Sequence, residues 1–319
     1  MRRILDATIA ALLLSSAAAA AQSYPTKPVR VVVPWPAGGG IDTVARIVTQ
    51  RLSAVMGQQF MIDNRAGAAG TIGAELVAKA PPDGYTLMAH STTHIGNAAF
   101  YKKLPYDTLK DFLPVAMVCS QPGLLAVHPS LPATSVKEFI ALAQARPREI
   151  LYASSGSGGS YHLSMGLLIS MTGIDLVHVP YKGGPPAVSS VVSGETQAIL
   201  ATVAVIKPHI PARLRPLAVS STDRLKLYPE LPTISEAGVP GYEMSPWIGF
   251  FSPAGTPRAI VERLNAEISK LLRLPDVEKN LLHQAFEPWI ATVDQFAAQI
   301  DRDYEKYAKL IKITGVRVD

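Results

Sequence analysis

The chain has 319 residues, of which 48% are hydrophobic, and it carries a formal net charge of +5 at pH 7. A chain of this length can bury a substantial core and is long enough for two domains. Its one cysteine, Cys119, excludes an intramolecular disulfide and a cysteine-based zinc site. The basic residues are scattered and are not interleaved with aromatic residues, which argues against a nucleic-acid surface.

The first 21 residues have the pattern of a secretory signal peptide. Arg2 and Arg3 form a charged start, residues 7–14 are apolar, and the alanine run at 17–21 supplies small residues for cleavage. We therefore expect cleavage near Ala21 and export of the mature chain. No later stretch of the sequence reaches the roughly 18 to 20 apolar residues of a membrane span, so the exported product is expected to be soluble.

The first predicted element after the signal is a strand that ends in a glycine-rich turn and leads into a helix. The strand is expected at 29–33, the turn contains the glycines at 38–40, and the helix is expected over 43–56, with Asp42 as its N-cap and Gly57 just after its end. Glycines let backbone N–H groups approach a ligand closely, and a helix N-terminus carries unsatisfied donors and a partial positive charge. This unit predicts anion binding.

The same glycines superficially fit the G-x-G-x-x-G fingerprint of dinucleotide-binding enzymes, and Asp63 lies where a ribose acceptor would be expected. The sixth position of the fingerprint is Thr43, however, where glycine or alanine is needed. Pro34, Trp35 and Pro36 also lengthen and stiffen the turn. A small-anion site is therefore favoured over a dinucleotide site, and a purely structural turn is the remaining alternative.

Further strand–helix units follow, with strands expected at 59–63 and 85–89, and this alternation indicates an α/β fold with a mostly parallel sheet. In such sheets ligands lie beyond the carboxyl ends of the strands, which makes Thr92 a candidate ligand contact. His90 and His94 have i, i+4 spacing, but no third ligand lies nearby in the sequence. A zinc site is therefore not expected.

A second strand, glycine turn and helix occurs in the middle of the chain. The strand is expected at 150–153, the turn at 154–160 is rich in serine and glycine, and the helix at 161–171 repeats the opening geometry. Another glycine turn lies at 180–186. The helix before these units starts with the capping box Ser135-x-x-Glu138. Glycine turns that lead into helix N-termini in both halves suggest a ligand clamped between two lobes.

The Pro-Gly break that follows residue 120 and the strand expected at 214–220 are the predicted crossings between the lobes. They assign residues 22–121 and 222–319 to lobe I and residues 122–221 to lobe II, after the signal peptide at 1–21. Each lobe then contains at least one glycine turn.

The serine-rich turn does not fit a hydrolase. A nucleophile elbow needs G-x-S-x-G, and neither Ser157 nor Ser160 satisfies that pattern. His162 is two residues from Ser160, but a serine and a histidine so close in sequence rarely meet in triad geometry. His162 is therefore expected to pack at its helix start or to help orient the turn. The sequence contains no H-E-x-x-H, P-loop lysine or paired general acids. We therefore expect no enzyme activity, no cofactor and no metal.

Several motifs occur in order along the mature chain. They are Val33-Pro34-x-Pro36-x-Gly38-Gly39-x-x-Asp42, Asn64-Arg65-x-Gly67-x-x-Gly70, Pro82-Asp83-Gly84-Tyr85, Tyr152-Ala153-Ser154-x-Gly156-x-Gly158, His178-Val179-Pro180-Tyr181-Lys182-Gly183 and Pro253-Ala254-Gly255-Thr256-Pro257. This series resembles the Bug-type extracytoplasmic solute receptors, which are the substrate-binding proteins of tripartite tricarboxylate transporters.

The resemblance implies a two-lobed periplasmic-binding-protein fold of the Venus flytrap, type II-like class, in which each lobe is a mostly parallel sheet flanked by helices. It implies a periplasmic monomer that captures a small carboxylate in the interlobe cleft: a di- or tricarboxylate, an aromatic acid or an amino acid. The partners would be the integral-membrane permease subunits of a tripartite transporter. A receptor that presents its ligand to a membrane sensor is the alternative.

The resemblance also implies which residues would surround the ligand. Carried over to matching positions, they are Pro36, Ala37, Gly38, Gly39, Gly40, Asp42, Thr92, Ser155, Gly156, Ser157, Gly158, Gly159, Ser160, Tyr181, Lys182, Gly183 and Gly184. Trp35 is expected to form either a wall of the cleft against an apolar ligand body, which is favoured, or a lid over the first helix.

The sequence departs from the family pattern at three positions. Gly166, Ser190 and Ala201 stand where the family often has an acidic residue. The loss of acids in the second lobe would favour a more anionic or a more apolar ligand. The alternative is that these positions face solvent.

Overall fold

The computed structural model describes residues 24–101, 103–156, 159–181 and 183–314, which form two β-sheets flanked by helices. The predicted signal peptide and its cleavage position at Ala21 lie outside these described residues. Within the same ranges, no helix combines the length and apolar character needed to cross a bilayer.

The strands belong to one six-stranded and one five-stranded sheet. In chain order they are β1 (Val29–Val33), β2 (Phe60–Asn64), β3 (Thr86–Ser91), β4 (Phe112–Ser120), β5 (Gly123–Val127), β6 (Leu151–Ser154), β7 (Val177–Pro180), β8 (Ala198–Thr202), β9 (Arg215–Val219), β10 (Trp247–Pro253) and β11 (Glu287–Pro288).

The helices cover these sheets and connect their strands. They are α1 (Gly40–Met56), α2 (Thr71–Ala78), α3 (Thr93–Phe100), α4 (Val136–Ala145), α5 (Ser160–Thr172), α6 (Gly184–Val192), α7 (Val203–Ile206), α8 (Arg258–Leu271), α9 (Pro275–His283) and α10 (Val293–Thr314), with short 3₁₀ turns at Ala68–Gly70 and Lys207–His209.

The strand order corrects the expectation of mostly parallel sheets. The first sheet has the order β11-β4-β10-β3-β1-β2, and only the β1–β2 and β1–β3 pairs are parallel. The second has the order β7-β6-β8-β5-β9, and β5 runs antiparallel to both of its neighbours. Both sheets are mixed because the strands next to the crossings, β4, β5, β9 and β10, form antiparallel pairs, whereas the strand–helix–strand units form the parallel ones.

The chain passes between the two sheets twice. The chain leaves the first sheet after β4 and enters the second at β5, and it returns between β9 and β10. The strand predicted at 214–220 is thus the edge strand β9 of the second sheet. The segment that returns to the first sheet follows it in the chain. The Gln121 N–H donates to the Pro246 carbonyl, so the outgoing and returning segments are hydrogen-bonded to each other. The division into lobes at residues 121 and 221 stays a prediction.

The first helix starts earlier than predicted. α1 begins at Gly40 with Gly39 as its N-cap, so the expectation that Asp42 is the N-cap was wrong. Asp42 lies in the first turn instead, and its side chain folds back into the glycine turn. The end of the helix before Gly57 is as predicted. Val44, Val48 and Leu52 are buried at helical spacing and hold α1 against the first sheet.

Aromatic side chains fill the space between β10 and α10. Trp247 and Phe296 have ring centroids 4.9 Å apart in an edge-to-face arrangement. The Trp247 indole donates to the buried carboxylate of Asp303 at 2.7 Å. β10 has a glycine, Gly249, at the point where the Phe296 ring reaches the strand, since a methyl group there would lie 2.5 Å from Phe296 Cζ. Close packing at this strand therefore depends on the missing side chain.

Cys119 and the two neighbouring histidines are buried. Cys119 is 0% exposed in β4 and burial raises the pKa of its thiol, as expected of a small hydrophobe. The His90 Nδ1 accepts the Ser91 N–H at 2.8 Å. His94 is fully buried, with its ring 4.6 Å from Phe112 and 5.3 Å from Phe251 between ring centroids. In the described part of the chain no cluster of three possible metal-ligating side chains exists.

Substitution of Gly249 by alanine is expected to destabilise the protein by about 1–3 kcal/mol, the usual cost of overpacking. The added methyl group would collide with Phe296 and would lie 3.0 Å from the Ala116 carbonyl. Urea unfolding measures this cost. Phe296→Leu removes the ring that collides, so the alanine should cost less in the Phe296→Leu background. Strictly additive effects would contradict this packing.

Replacement of His94 by phenylalanine is expected to make stability less dependent on pH. Burial holds the pKa of His94 well below 6.5 in the folded protein. Below pH 6.5 the unfolded chain therefore binds a proton that the folded protein does not, and the free energy of unfolding falls by about 1.4 kcal/mol per pH unit. His94→Phe should remove this loss, which amounts to about 2 kcal/mol between pH 6.5 and 5.

Urea titrations at the two pH values measure this difference. His94→Leu serves as a second variant, because it removes the titrating group without adding an aromatic ring. An unchanged pH dependence in both variants would show that His94 protonates in the folded state.

Candidate functional site

The glycine turn between β1 and α1 is held by a buried carboxylate. Asp42 is 2% exposed, and its Oδ2 accepts the Gly38 N–H at 2.8 Å and Arg46 Nε at 2.9 Å. Its Oδ1 accepts Asn64 Nδ2 at 3.0 Å. Burial by itself would raise the pKa of Asp42, but these hydrogen bonds outweigh it and the pKa is lowered. Gly38 has φ +81°, a conformation that a glycine adopts without strain.

The start of α1 presents free backbone donors. The Thr43 N–H makes the first bond of the helical ladder, to the Gly39 carbonyl at 2.9 Å, so the N–H groups of residues 40–42 precede the ladder. Gly39 provides no side-chain cap. Pro36 to Gly40 are exposed, and Gly40 packs its backbone close to Phe286. This end of α1 can therefore receive an anion.

The turn before α5 has the same construction. The Leu163 N–H donates to the Gly159 carbonyl at 3.0 Å, so the N–H groups of Ser160 and Tyr161 precede the ladder. Gly159 is the N-cap and provides no side-chain cap. Two of the predicted residues of this turn, Ser157 and Gly158, lie outside the described residues. The repetition of the opening unit that the sequence predicted is present in the structure.

Two stacked histidines support the turn before α5. The His162 and His178 rings stack with centroids 3.9 Å apart, and the Tyr152 ring stacks on His178 with centroids 4.9 Å apart. His178 Nε2 lies 2.6 Å from the hydroxyl of Ser154, which in turn accepts the Gly156 N–H at 3.2 Å. Burial and the neighbouring His178 lower the pKa of His162 to about 4, so the stack is neutral at pH 7. His162 packs at its helix start, as predicted.

The third glycine turn differs from the other two. α6 begins at Gly184, and the next two residues are prolines, which have no N–H to offer. The Gly184 backbone lies against Tyr161, because a methyl group at Gly184 would be 2.9 Å from the Tyr161 hydroxyl. Tyr181 continues the β7 edge by donating its N–H to the Ser154 carbonyl at 2.9 Å. Lys182 lies outside the described residues.

The two uncapped helix starts converge on Gln121. A cavity of about 10 Å³ lies where the chain crosses between the sheets, and its lining residues come from the crossings, α5, β5 and β8: Gln121, Gly123, Ser160, Tyr161, Ser164, Leu200, Ala201, Thr202 and Pro246. On the α1 side, a methyl group at Gly40 would lie 3.3 Å from Gln121 Nε2. Gln121 therefore lies close to the start of α1 and also lines the cavity beside the start of α5.

Two predicted site residues have other surroundings. Thr92 is 4% exposed, its N–H donates to the Trp247 carbonyl at 3.1 Å, and its hydroxyl faces Tyr307 of α10. The Trp35 ring packs edge-on against His90 with centroids 6.1 Å apart and lies, partly buried, against the apolar side chains between α1 and the first sheet. Neither contact reaches the starts of α1 and α5. A ligand-contacting role for these two residues stays a prediction.

The three positions that depart from the family pattern are buried, so the alternative that they face solvent was wrong. Gly166 lies in α5. The Ser190 hydroxyl donates to the Ala187 carbonyl at 2.8 Å. Ala201 is 1% exposed and lines the small cavity. Its methyl group contributes no charge there.

Gln121 and Thr202 lie at the candidate site but were not among the site residues predicted from the sequence. The Thr202 hydroxyl lies 2.9 Å from the Tyr161 hydroxyl in the wall of the cavity. Gln121 had a signal in the sequence, since it is the polar residue that begins the Pro-Gly break identified as a crossing. Thr202 had none, because β8 pairs far along the chain from α5.

Comparisons with known proteins agree with this construction. The profile of the tripartite tricarboxylate transporter family receptor, TctC, matches residues 44–316. Protein BugT of Bordetella pertussis is 34% identical over 307 residues, which cover 95% of this chain and 94% of BugT. These matches extend over both sheets.

Solved structures share the fold. The structure of R. palustris Rpa4515 with adipate is 38% identical, has a TM-score of 0.79, and covers 92% of this chain and 99% of that chain. MatC from Rhodopseudomonas palustris with bound malate is 31% identical, with a TM-score of 0.73 and coverage of 90% and 100%. The two-lobed fold predicted from the sequence is confirmed.

The family profile, the relatives and the solved structures thus match the chain over nearly its whole length, including α5 and most of α1. Proteins of this family are periplasmic receptors, and the prediction that the chain is not an enzyme is confirmed. The chain belongs to the tripartite tricarboxylate transporter receptor family and is a solute-binding receptor.

Proposed function

We propose that this receptor captures a small carboxylate between its lobes in the periplasm and delivers it, as a monomer, to the permease subunits of a tripartite transporter. The observation that carries the proposal is the convergence of the α1 and α5 N-termini on Gln121. A ligand with two acidic groups could reach both helix starts at once. No cofactor or metal takes part.

Electrostatics at the helix starts support an anionic ligand. Each helix N-terminus carries the equivalent of about half a positive charge, together with N–H donors directed at the ligand. The Asp42 carboxylate in this turn is paired with Arg46, so its repulsion of an incoming anion is reduced. Asp42 therefore acts in this proposal as a positioning residue of the turn.

Entry of the ligand requires the lobes to separate. The cavity at the crossings has room for about one water molecule, which is far smaller than a dicarboxylate. A ligand held by donors of both lobes favours the closed arrangement through the contacts that it makes only there. The crossings after β4 and before β10 are the segments about which the lobes would move.

The relatives support the ligand class. Rpa4515 was solved with adipate and MatC with malate, and both molecules are small dicarboxylates. We assign the contacts with the ligand to the two helix starts and their turns: Gly38, Gly39, Gly40, Ser155, Gly156, Ser157, Gly158, Gly159 and Ser160. Trp35, Pro36, Ala37, Tyr181, Lys182, Gly183 and Gly184 would complete the surroundings.

Small dicarboxylates are expected to bind and to raise the melting temperature. A ligand present at one hundred times its Kd adds about 2.7 kcal/mol to the free energy of unfolding. Isothermal calorimetry and thermal unfolding with di- and tricarboxylates, aromatic acids and nucleotides measure this effect. Stabilisation by NAD(H) or other nucleotides alone would overturn the proposal.

Gly40→Val is expected to weaken binding by about tenfold or more, since the loss of a hydrogen bond to a charged group costs about 1.5–3 kcal/mol. The branched side chain would contact Gln121 and Phe286 and cover the donors at the start of α1. Calorimetry with the tightest acid of the panel measures the change. Gly40→Ala is a milder second variant.

Ala54→Val is the matched control for this substitution. It adds a valine to an exposed position of the same helix, near the opposite end. Affinity should stay unchanged in this variant. Equal affinities of Gly40→Val and the wild type would exclude the start of α1 from the site.

A further inference from the structure

Gln121 is held at the crossing by its backbone. Its N–H donates to the Pro246 carbonyl, so the outgoing and returning segments fix the position of the residue. The side chain is partly buried, and its Nε2 faces Gly40 at the start of α1. The same side chain lines the cavity beside Ser160.

The Gln121 amide has unused hydrogen-bonding capacity. A glutamine side chain offers two N–H donors and one carbonyl acceptor. Among the residues that the structure describes, none makes a hydrogen bond with this side chain, although it lines a cavity. A polar group that lines a cavity without a protein partner is available to orient a ligand.

The wall around Gln121 is electrically neutral. The residues that line the cavity carry hydroxyl, amide and aliphatic groups, and none of these described side chains is charged. An ammonium group placed here would have no carboxylate partner and would face the positive ends of two helices. A carboxylate or hydroxyl oxygen, by contrast, can accept from the amide and from the backbone donors.

We propose that the Gln121 side-chain amide contacts the ligand. Through this contact the site binds acids whose polar groups are carboxylates or hydroxyls more tightly than analogues that carry an ammonium group. This inference rests on the proposed function, because it assumes that a carboxylate occupies the space between the helix starts. It narrows the ligand class, since amino acids were among the ligands that the family resemblance allowed.

Matched ligand pairs test the discrimination. Malate and aspartate differ only by a hydroxyl in place of an ammonium group, and adipate and 2-aminoadipate differ only by the ammonium. In calorimetry with the wild-type protein, the acid of a pair should bind at least about tenfold more tightly than its amino analogue, which corresponds to about 1.4 kcal/mol.

Gln121→Glu tests the residue. The variant keeps the shape of the side chain but replaces two donors by a negative charge. It should weaken binding of the acid by about tenfold or more. It should also reduce the ratio of the affinity for the acid to the affinity for its amino analogue, because a carboxylate attracts ammonium. Gln121→Met, which has no charge and no donor, should weaken the acid without favouring the amino analogue.

Gln144→Glu is the matched control, since it makes the same change at an exposed position of α4 and should leave both affinities unchanged. Equal wild-type affinities within each pair, or an unchanged ratio in Gln121→Glu with the fold intact by circular dichroism, would overturn the inference. Failure of every carboxylate to bind the wild type would instead overturn the proposed function.

Discussion

Helices α1 and α5 both begin without a side-chain cap, and the proposed site depends on the N–H groups at these two starts. Gly39 and Gly159 are the N-caps of α1 and α5, and neither residue can satisfy the first N–H groups of its helix. α4, by contrast, has a side-chain cap, in which the Ser135 hydroxyl accepts the Glu138 N–H at 3.2 Å. The uncapped donors are available to a ligand that supplies negative charge.

A turn that presents free donors must be kept in shape by something other than the ligand. In the first lobe this is done by the Asp42 carboxylate, which binds Gly38, Arg46 and Asn64. In the second lobe it is done by neutral groups, through the Ser154 hydroxyl and the His162–His178 stack. Both supports avoid an unpaired negative charge next to the donors. An anion can then approach either turn without meeting a free carboxylate among these groups.

The crossings between the sheets bring the two turns into register. Gln121 and Pro246 are 125 positions apart, yet a backbone hydrogen bond joins them at the point where both crossings pass. This bond places the Gln121 side chain between the α1 and α5 starts. Any motion that separates the lobes would turn about these two segments.

The sequence by itself determined the local units, because their causes are local. Strand, glycine turn and helix follow one another within about 30 residues, and β-branched runs, glycines and helical spacing decide each unit without long-range help. The ordered motifs further determined the family and the two-lobed fold. Tertiary structure decided the rest: the mixed sheets, the buried surroundings of Thr92, the inward turn of the Asp42 side chain and the position of Gln121. Each of these depends on which distant strand or helix packs alongside, and a single sequence contains no direct record of such pairings.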